Sequence, residues 1–224
     1  EIYTLSLHDA LPISIHYTFR PFDFAPSQAV AISPHLVNKI GKKWHIAFAD
    51  YAWGQSTRDA YVEQIKKLGG EVTGTTGIPL GTADMTAFLS KITGSYDGLF
   101  GIFFGSQGIS FVTQTFDLGI SKKARIAGDG AIAVATSLPA MGTKADGFVG
   151  VDRYIPLLEG KFNTPYHKKF LDEAVARLKP LGVALPDRYV QSNFEAVNFL
   201  KLGMERSKFR GREDTMRLIE ALEG

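Results

Sequence analysis

The feature that most constrains the fold is an alternation of short apolar runs with amphipathic segments between residues 42 and 151. Apolar runs of this length, with turn residues after them, are typical of parallel strands that are buried on both faces. The alternation with helix-length segments predicts an α/β fold built on a doubly wound parallel sheet. The predicted strands are Trp44–Ala49, Glu71–Thr76, Leu99–Phe104, Ala124–Ala127 and Gly147–Val151.

The segments between these strands carry the periodicity and the end signals of helices. Apolar residues recur on one face of each segment, and glycines stand where the first and third would end. The side chains of Thr82 to Asp84 offer capping groups to the second segment. The inward-facing residues are predicted to be Tyr61, Ile65 and Leu68, then Met85, Phe88, Leu89 and Ile92, then Phe111, Val112, Thr115 and Leu118.

The chain on either side of this alternation predicts helices without strands to cover them. A helix is expected from about Ser27 to Ile40, after the strand-like sequence HYTF, and three more follow residue 152. Helices in such an arrangement cannot bury their apolar faces alone and need a sheet. We therefore expect one complete α/β lobe, flanked on both sides by pieces of a second lobe. The three downstream helices are predicted at Pro165–Lys179, Arg188–Ser207 and Glu213–Leu222.

The first fourteen residues, EIYTLSLHDALPIS, show neither a capped helix nor a strand pattern. Translated back codon by codon, they reproduce the universal forward adapter of short-read DNA library preparation. We therefore expect residues 1–14 to be adapter-derived rather than native, and the fold argument starts at Ile15. On this interpretation the native chain is truncated.

Composition and motifs exclude several classes of function. The chain has no cysteine, which excludes thiol catalysis, thiolate metal sites and disulfides. Its net charge is +2 with scattered basic residues, so nucleic acid is not an expected partner. No apolar run reaches the ~18 residues of a membrane span. The sequence shows no phosphate-binding loop, no nucleophile elbow and no histidine pair at metal-ligand spacing. We expect a protein that is not an enzyme and that uses no metal or cofactor.

Three loops at the predicted carboxyl ends of strands carry the best candidates for a binding site. Ligands of open parallel sheets bind beyond those ends. The loops supply aromatic rings, a hydroxyl, an amide, glycine-freed backbone N–H groups and one carboxylate, which suit a small zwitterion. In this hypothesis Asp129 meets an ammonium group and Trp53 an apolar tail. The candidate residues are Tyr51 and Trp53 in the first loop, Gly105, Ser106 and Gln107 in the second, and Asp129 in the third.

An alternative interpretation concerns the sequence GDGAIA at residues 128–133, which has the form of a dinucleotide-binding turn. Asp152 stands at nearly the spacing of a ribose-binding carboxylate. Against this, Pro139 would cut the following helix short, and the turn lies late in the sheet. An NAD-dependent enzyme therefore stays an open alternative at this stage.

Several stretches resemble the substrate-binding proteins of ABC transporters, of the branched-chain amino-acid (Leu/Ile/Val) type. They are KKWHIAFADYAWGQSTRDAYVEQIKKLGGEV, PLGTADMTAFLSKI, the later DLGI and AGDG, YTFRPFD, ADGFVGVDRY and VQSNFEAVNFLKLGMERSK. The resemblance covers residues 15–224 and implies a type I periplasmic-binding-protein fold with two doubly wound lobes, one of them incomplete. It assigns residues 42–151 to lobe two, and residues 15–41 and 152–224 to lobe one.

The resemblance also implies roles for particular residues. Trp53 stands where an aromatic ring of lobe two lies against the ligand, and Asp129 where an acidic residue meets the α-ammonium. The loop around Ser106 and Gln107 matches a third contact of lobe two, although a tyrosine expected there is missing. Tyr154, at the second crossing between lobes, is a further candidate.

The function implied is the capture of a small solute, an amino acid of the branched-chain or a related type, between two lobes that close over it. A monomeric periplasmic protein would then deliver the solute to the transmembrane subunits of an ABC permease. Its signal peptide is presumed lost with the truncated N-terminus. A cytosolic ligand sensor of the same fold is the other alternative.

Overall fold

The computed structural model of the protein describes Phe19 and residues 24–223. The predictions for residues 1–14 and for most of YTFRPFD lie outside the described residues. The strands are Lys43–Ala49 (β1), Glu71–Ile78 (β2), Gly98–Ile102 (β3), Arg125–Gly128 (β4) and Val149–Gly150 (β5). The α-helices are Ala25–His35 (α1), Ala52–Lys67 (α2), Thr86–Leu89 (α3), Gly105–Asp117 (α4), Leu138–Met141 (α5), Pro165–Leu178 (α6), Arg188–Ser207 (α7) and Thr215–Glu223 (α8).

The strands form one parallel sheet in the order β2-β1-β3-β4-β5. The predicted parallel α/β sheet is thereby confirmed. The chain moves outward from β1 to β2 and then returns to the other side of β1 for β3. The carboxyl ends of β1 and β3 therefore flank the point at which the strand order reverses, and crevices for ligands open at such points.

Two hydrophobic cores cover the two faces of the sheet. Ile46 and Phe48 of β1 face the core that α1 and α2 complete, whereas Ala47 and Ala49 face the core that includes Phe111 of α4. This division follows from the alternation of side chains along a strand. Because both faces are covered, β1 is buried at every residue after Lys43, as its apolar sequence predicted.

Several predicted elements differ from the structure in extent. The helix expected after Thr82 is the single turn α3, although Met85 and Leu89 are buried as expected. The expected loop at residues 105–108 is wrong, because these residues form the first turn of α4. The strand β3 ends at Ile102, and β5 has only two residues.

The segment upstream of the sheet has a packing partner within the described chain. Ala29, Ile32, Leu36 and Val37 lie in the same core as residues of β1 and α2. A π-helical turn, Leu36–Ile40, continues α1 up to the sheet. The expectation that this helix has nothing to pack on is wrong, because α1 packs on one face of the sheet. The division into lobes at residues 41 and 152 stays a prediction.

The chain divides into two compact units, one of residues 23–191 and one that holds residues 192–223 and Phe19. In the second unit, Gly203 of α7 lies so close to Leu218 and Leu222 of α8 that a Cβ there would overlap them. The ring of Phe19 lies 6.0 Å from the ring of Phe199. Apolar side chains on α7, among them Val197 at 69% exposure, remain uncovered by the described residues.

Candidate functional site

An aromatic cluster stands where the strand order reverses. Tyr51 and Trp53 follow β1 at the start of α2, and Phe104 follows β3 at the start of α4. The ring centroids of Tyr51 and Trp53 are 5.8 Å apart, and Trp53 meets Phe104 edge-to-face at 5.9 Å. Phe104 is 44% exposed and the other two rings are half-buried. Aromatic area that stays exposed in a crevice is available to a ligand.

A tight turn brings the cluster to this place. A Cβ at Gly54 would overlap the carbonyl oxygen of Ala49, the last residue of β1. Only glycine allows α2 to begin so close to the end of the strand. Gly105 has φ +55°, a left-handed conformation that glycine adopts without strain, and it starts α4 directly after Phe104. The two glycines thus hold the two helix starts beside one another at the edge of the sheet.

The three candidate residues of the second predicted loop differ in their exposure to solvent. Gly105 and Ser106 are exposed on the first turn of α4. Gln107 is buried, and its Nε2 donates to the carbonyl of Pro79 at 2.9 Å, while its Oε1 has no hydrogen-bond partner among the described residues. The amide nitrogen of Gln107 therefore holds the segment after β2, whereas its amide oxygen accepts no hydrogen bond from the described residues.

Asp129 follows β4 and carries the most perturbed carboxyl group of the site. It is 2% exposed, and its Oδ1 has no hydrogen-bond partner within the described part of the chain. Desolvation raises the pKa of Asp129 to about 8, because burial penalises the charged form. The Arg188 guanidinium and the backbone N–H groups of Ala131 and Phe103 oppose this rise, whereas the charge of Asp152 adds to it. Near neutral pH the carboxyl is mainly protonated.

An arginine from the start of α7 lies behind Asp129. Arg188 is 7% exposed, and its Nε is 3.4 Å from Oδ1 of Asp152. A Cβ at Gly130 would overlap the Arg188 guanidinium, so glycine is needed for this approach. The backbone N–H of Gly130 donates to Oε1 of Gln28 on α1 at 3.1 Å. Three other parts of the chain, α1, Asp152 and the start of α7, thus meet at the turn that holds Asp129.

The charge of Asp129 contributes to the raised pKa values of two tyrosines, Tyr51 and Tyr189. The pKa of Tyr51 is raised by burial and by the charges of Asp129 and Tyr189. The pKa of Tyr189 is raised by burial, against the effect of Arg188, and Asp129 contributes to the rise. Tyr51, Asp129 and Tyr189 therefore form one electrostatic group, which places Asp129 next to the aromatic cluster.

Tyr154 has its ring contacts on α6. It is 7% exposed, and its ring contacts those of His167 and Phe170 on α6 at 5.6 and 5.5 Å. Its hydroxyl has no hydrogen-bond partner among residues 24–223. Burial raises the pKa of Tyr154 to about 12. The ring of Tyr154 thus packs on α6, while its backbone N–H donates to Oδ1 of Asp152 at 3.5 Å.

The structure thus groups Tyr51, Trp53 and Asp129, places Ser106 on an exposed turn nearby, and turns Gln107 toward the core. Sequence reasoning missed Phe104, Arg188 and Tyr189 as members of the site. Phe104 ends the apolar run of β3 and was assigned to the strand. Arg188 and Tyr189 are more than fifty positions from Asp129, and no local pattern relates them to it.

The GDGAIA turn does not have the structure that a dinucleotide site requires. Residues 129–137 form turns, and the next helix, α5, has only four residues. The pyrophosphate of a dinucleotide binds at the N-terminus of a helix that follows directly. In the described part of the chain, no cluster of three or more carboxylate or imidazole side chains could hold a metal ion. Among the same residues, no helix is both long and apolar enough to cross a membrane.

The sequence matches the family model described as periplasmic binding protein over residues 12–224. The chain therefore belongs to the periplasmic binding protein family. No curated protein sequence matches it significantly.

Solved structures show the same fold. An ABC transporter substrate-binding protein from Sphaerobacter thermophilus is 22% identical, with a TM-score of 0.80 over 91% of this chain and 54% of its own. A solute-binding protein from R. palustris in complex with 4-hydroxybenzoate is 21% identical, with a TM-score of 0.76 over 88% of this chain and 52% of its own. A leucine-binding protein from Thermotoga maritima is 17% identical, with a TM-score of 0.73 over 88% of this chain and 54% of its own.

These similarities confirm the type I periplasmic-binding-protein fold that the resemblance implied. The chain spans about half the length of each of these structures. At these identities the likeness establishes the fold, and the ligands of those proteins are not thereby assigned to this chain.

Proposed function

We propose that the chain is part of a periplasmic solute-binding protein that captures an amino acid and delivers it to an ABC permease. The crevice between the carboxyl ends of β1 and β3 would hold the apolar side chain, and Asp129 would meet the α-ammonium group. Membership of the periplasmic binding protein family supports the general role. The observation that carries the amino-acid assignment is the buried carboxyl of Asp129, whose Oδ1 has no partner among the described residues.

The physical basis is that a buried acceptor without a partner is costly. Leaving such a group unmet costs about 1–3 kcal/mol, and more if it is charged. An ammonium group donates up to three hydrogen bonds and favours the ionised carboxyl. Binding would therefore satisfy Oδ1 and offset the desolvation that raises the pKa of Asp129 to about 8.

The proposal implies that binding is coupled to proton release. If Asp129 is mainly protonated before binding and ionised afterwards, a zwitterion that binds at pH 7 displaces up to about one proton per site. Isothermal calorimetry in buffers with different ionisation enthalpies measures this number directly. A binding heat that does not change with the buffer would contradict the role of Asp129 as the ammonium partner.

A second candidate ligand is a small aromatic acid, and the aromatic cluster favours it. Tyr51, Trp53 and Phe104 offer partly exposed rings at 5.8 and 5.9 Å spacing, and an aromatic ligand could pack on them. Such a ligand has no ammonium group for Asp129, so the two candidates differ in one testable contact.

The test compares matched ligands on the 224-residue chain by saturation-transfer NMR, which detects millimolar binding. L-Leucine is compared with 2-hydroxy-4-methylpentanoate, which has a hydroxyl in place of the ammonium, and with 4-hydroxybenzoate. We expect a transfer signal from leucine and at least a tenfold weaker one from the hydroxy acid, because the ammonium carries the interaction with Asp129.

Equal signals from leucine and its hydroxy analogue would overturn the amino-acid assignment. A signal from 4-hydroxybenzoate alone would support the aromatic-acid candidate. Loss of the leucine signal in Trp53→Ala places the ligand at the aromatic cluster, and a signal unchanged by that substitution places it elsewhere.

A further inference from the structure

A cavity of about 700 Å³ lies in the first compact unit, away from the aromatic cluster. Its lining comes from three segments, residues 133–139, residues 152–157 and residues 182–187. The volume falls in the range of about 300–1,000 Å³ that is usual for small-molecule sites. No residue of the aromatic cluster contributes to the lining.

Much of the lining is apolar and exposed to solvent. Leu138, Ile155 and Leu157 all line the cavity and are 43%, 51% and 68% exposed. Water-exposed apolar surface grouped around a concave site is an indication of ligand binding. A molecule with an apolar body would remove this surface from water.

The charge of the lining has a single sign. Asp152 and Asp187 are among the lining residues, and no lysine, arginine or histidine is among them within the described chain. Arg188 pairs with Asp152 at 3.4 Å but does not itself line the cavity. Asp187 accepts the backbone N–H groups of Tyr189 and Val190 and so caps α7. The charged side chains that line the cavity are therefore both carboxylates, and one of them is paired with an arginine outside the lining.

Tyr154 adds a second polar feature to the same wall. It lines the cavity and is more than nine-tenths buried, and its hydroxyl has no hydrogen-bond partner in the described part of the chain. An aromatic side chain in the wall of a cavity suits a ligand with an apolar or cationic group. The cavity therefore combines apolar area, negative charge and an aromatic wall.

We propose that this cavity binds a small organic cation with an apolar body, of the arylalkylammonium class. The apolar lining covers the body, and the carboxylates of Asp152 and Asp187 attract the charge. An anion of the same size is repelled by the same wall. This cavity shares no lining residue with the aromatic cluster or with Asp129, although the charge of Asp152 on its wall also acts on Asp129. The proposal does not depend on the amino-acid assignment.

The experiment uses three fluorinated probes of nearly the same shape on the 224-residue chain, observed by ¹⁹F NMR. They are 4-fluorobenzylamine, a cation at neutral pH, 4-fluorobenzyl alcohol, its neutral analogue, and 4-fluorobenzoate, an anion. We expect the amine to bind at least tenfold more tightly than the alcohol at low salt, and the benzoate not to bind. The preference for the amine should decrease as salt is added.

Two variants locate the binding. Ala135→Phe places a ring at a half-buried lining residue and should abolish binding of the amine. The same variant should keep the leucine signal that the unsubstituted chain gives. Asp187→Asn keeps a good helix cap but removes one charge, so it should reduce the preference for the amine about tenfold without loss of fold. Asp117→Asn, an equal change of charge remote from the lining, should have no effect. Thr136→Trp on the rim serves as the filling variant if Ala135→Phe does not fold.

Equal binding of the amine and the alcohol would overturn the proposal, and so would amine binding that neither Ala135→Phe nor Thr136→Trp reduces. Absence of any signal from the amine at millimolar concentration would overturn it as well. Because leucine and the amine are followed separately, failure at one site does not imply failure at the other.

Discussion

The two ends of the same parallel sheet treat their polar groups in opposite ways. At the amino end, Asp97 accepts the backbone N–H of Lys43 at 2.9 Å, and Arg125 donates to the carbonyl of Gly147 at 3.1 Å. At the carboxyl end, Asp129 and Gln107 are buried, and each has a side-chain oxygen without a partner among the described residues. These two groups of the amino end are thus paired, whereas the two oxygens of the carboxyl end are not. The hydroxyls of Ser33 on α1 and Thr57 on α2 are also buried without a partner among the described residues.

This difference supports the proposal that the ligand binds at the carboxyl end of the sheet. Buried polar groups are normally paired, so an unpaired one needs a reason. Unpaired groups that gather where the strand order reverses coincide with the place where open α/β sheets bind ligands. The amino end also has a depression of about 380 Å³, and three of the polar residues that border it, Asp97, Arg125 and Lys144, have hydrogen-bond partners.

The largest effect is expected on the free energy of unfolding, and it should differ between substitutions of the two tryptophans. Trp44, near the amino end, is fully buried, its ring lies against Gly98, and its Nε1 donates to the carbonyl of Gly41 at 2.7 Å. Trp44→Ala should lower the free energy of unfolding by about 3–5 kcal/mol through the cavity it leaves. Trp53→Ala should lower it much less, because Trp53 is only half-buried. Urea unfolding followed by circular dichroism measures both, and equal losses would contradict the comparison.

The next effect concerns ligand affinity. Asp129→Ala should weaken binding of leucine about 100-fold, or about 2.7 kcal/mol, by removing the partner of the ammonium group. Asp117→Ala removes an exposed carboxylate that pairs with Lys144 at 2.7 Å and should leave affinity unchanged. Saturation-transfer NMR titrations give both values. If Asp50→Ala, and not Asp129→Ala, abolishes binding, the ammonium partner is the other carboxylate of this end.

A third effect is a dependence of stability on pH that one residue controls. The pKa of Asp129 is raised from 3.8 to about 8, so between these values the folded chain holds a proton that the unfolded chain releases. The free energy of unfolding due to this group therefore falls as the pH rises from about 4 to about 8, by up to ~1.4 kcal/mol per unit.

The Asn side chain in Asp129→Asn does not titrate, so the variant lacks this pH dependence. Its stability relative to the parent should rise by on the order of 2 kcal/mol between pH 5 and pH 8. Urea unfolding of both chains at the two pH values measures this difference, in which other titrating groups cancel. A difference that does not change with pH would mean that Asp129 is ionised in the fold.

The smallest effect is expected at the exposed pair of the amino end. Lys144→Ala should change the free energy of unfolding by less than about 1 kcal/mol, because the Lys144–Asp117 pair is screened by solvent. The same urea experiment at low and high salt checks this. A loss comparable to that of Trp44→Ala would show that the amino end relies on its ion pairs and not on its core.

The sequence by itself determined the elements and the general place of the site. Apolar runs and helical periodicity depend on neighbouring residues, so β1, α2 and α7 were predicted within a few residues. The loops after β1 and β4 were identified for the same reason, because strand ends are local features. Trp53 and Asp129 were therefore placed just after β1 and β4 without knowledge of the structure, and their role in binding stays a prediction.

Only the tertiary structure decided what surrounds those residues. The protonation of Asp129 depends on burial and on Arg188, which lies 59 positions away in the chain. The place of α1 on the sheet, the contact of Trp53 with Phe104, and the contact of Tyr154 with His167 also depend on packing between distant segments. Desolvation and charge act through space, so no pattern of adjacent residues records them.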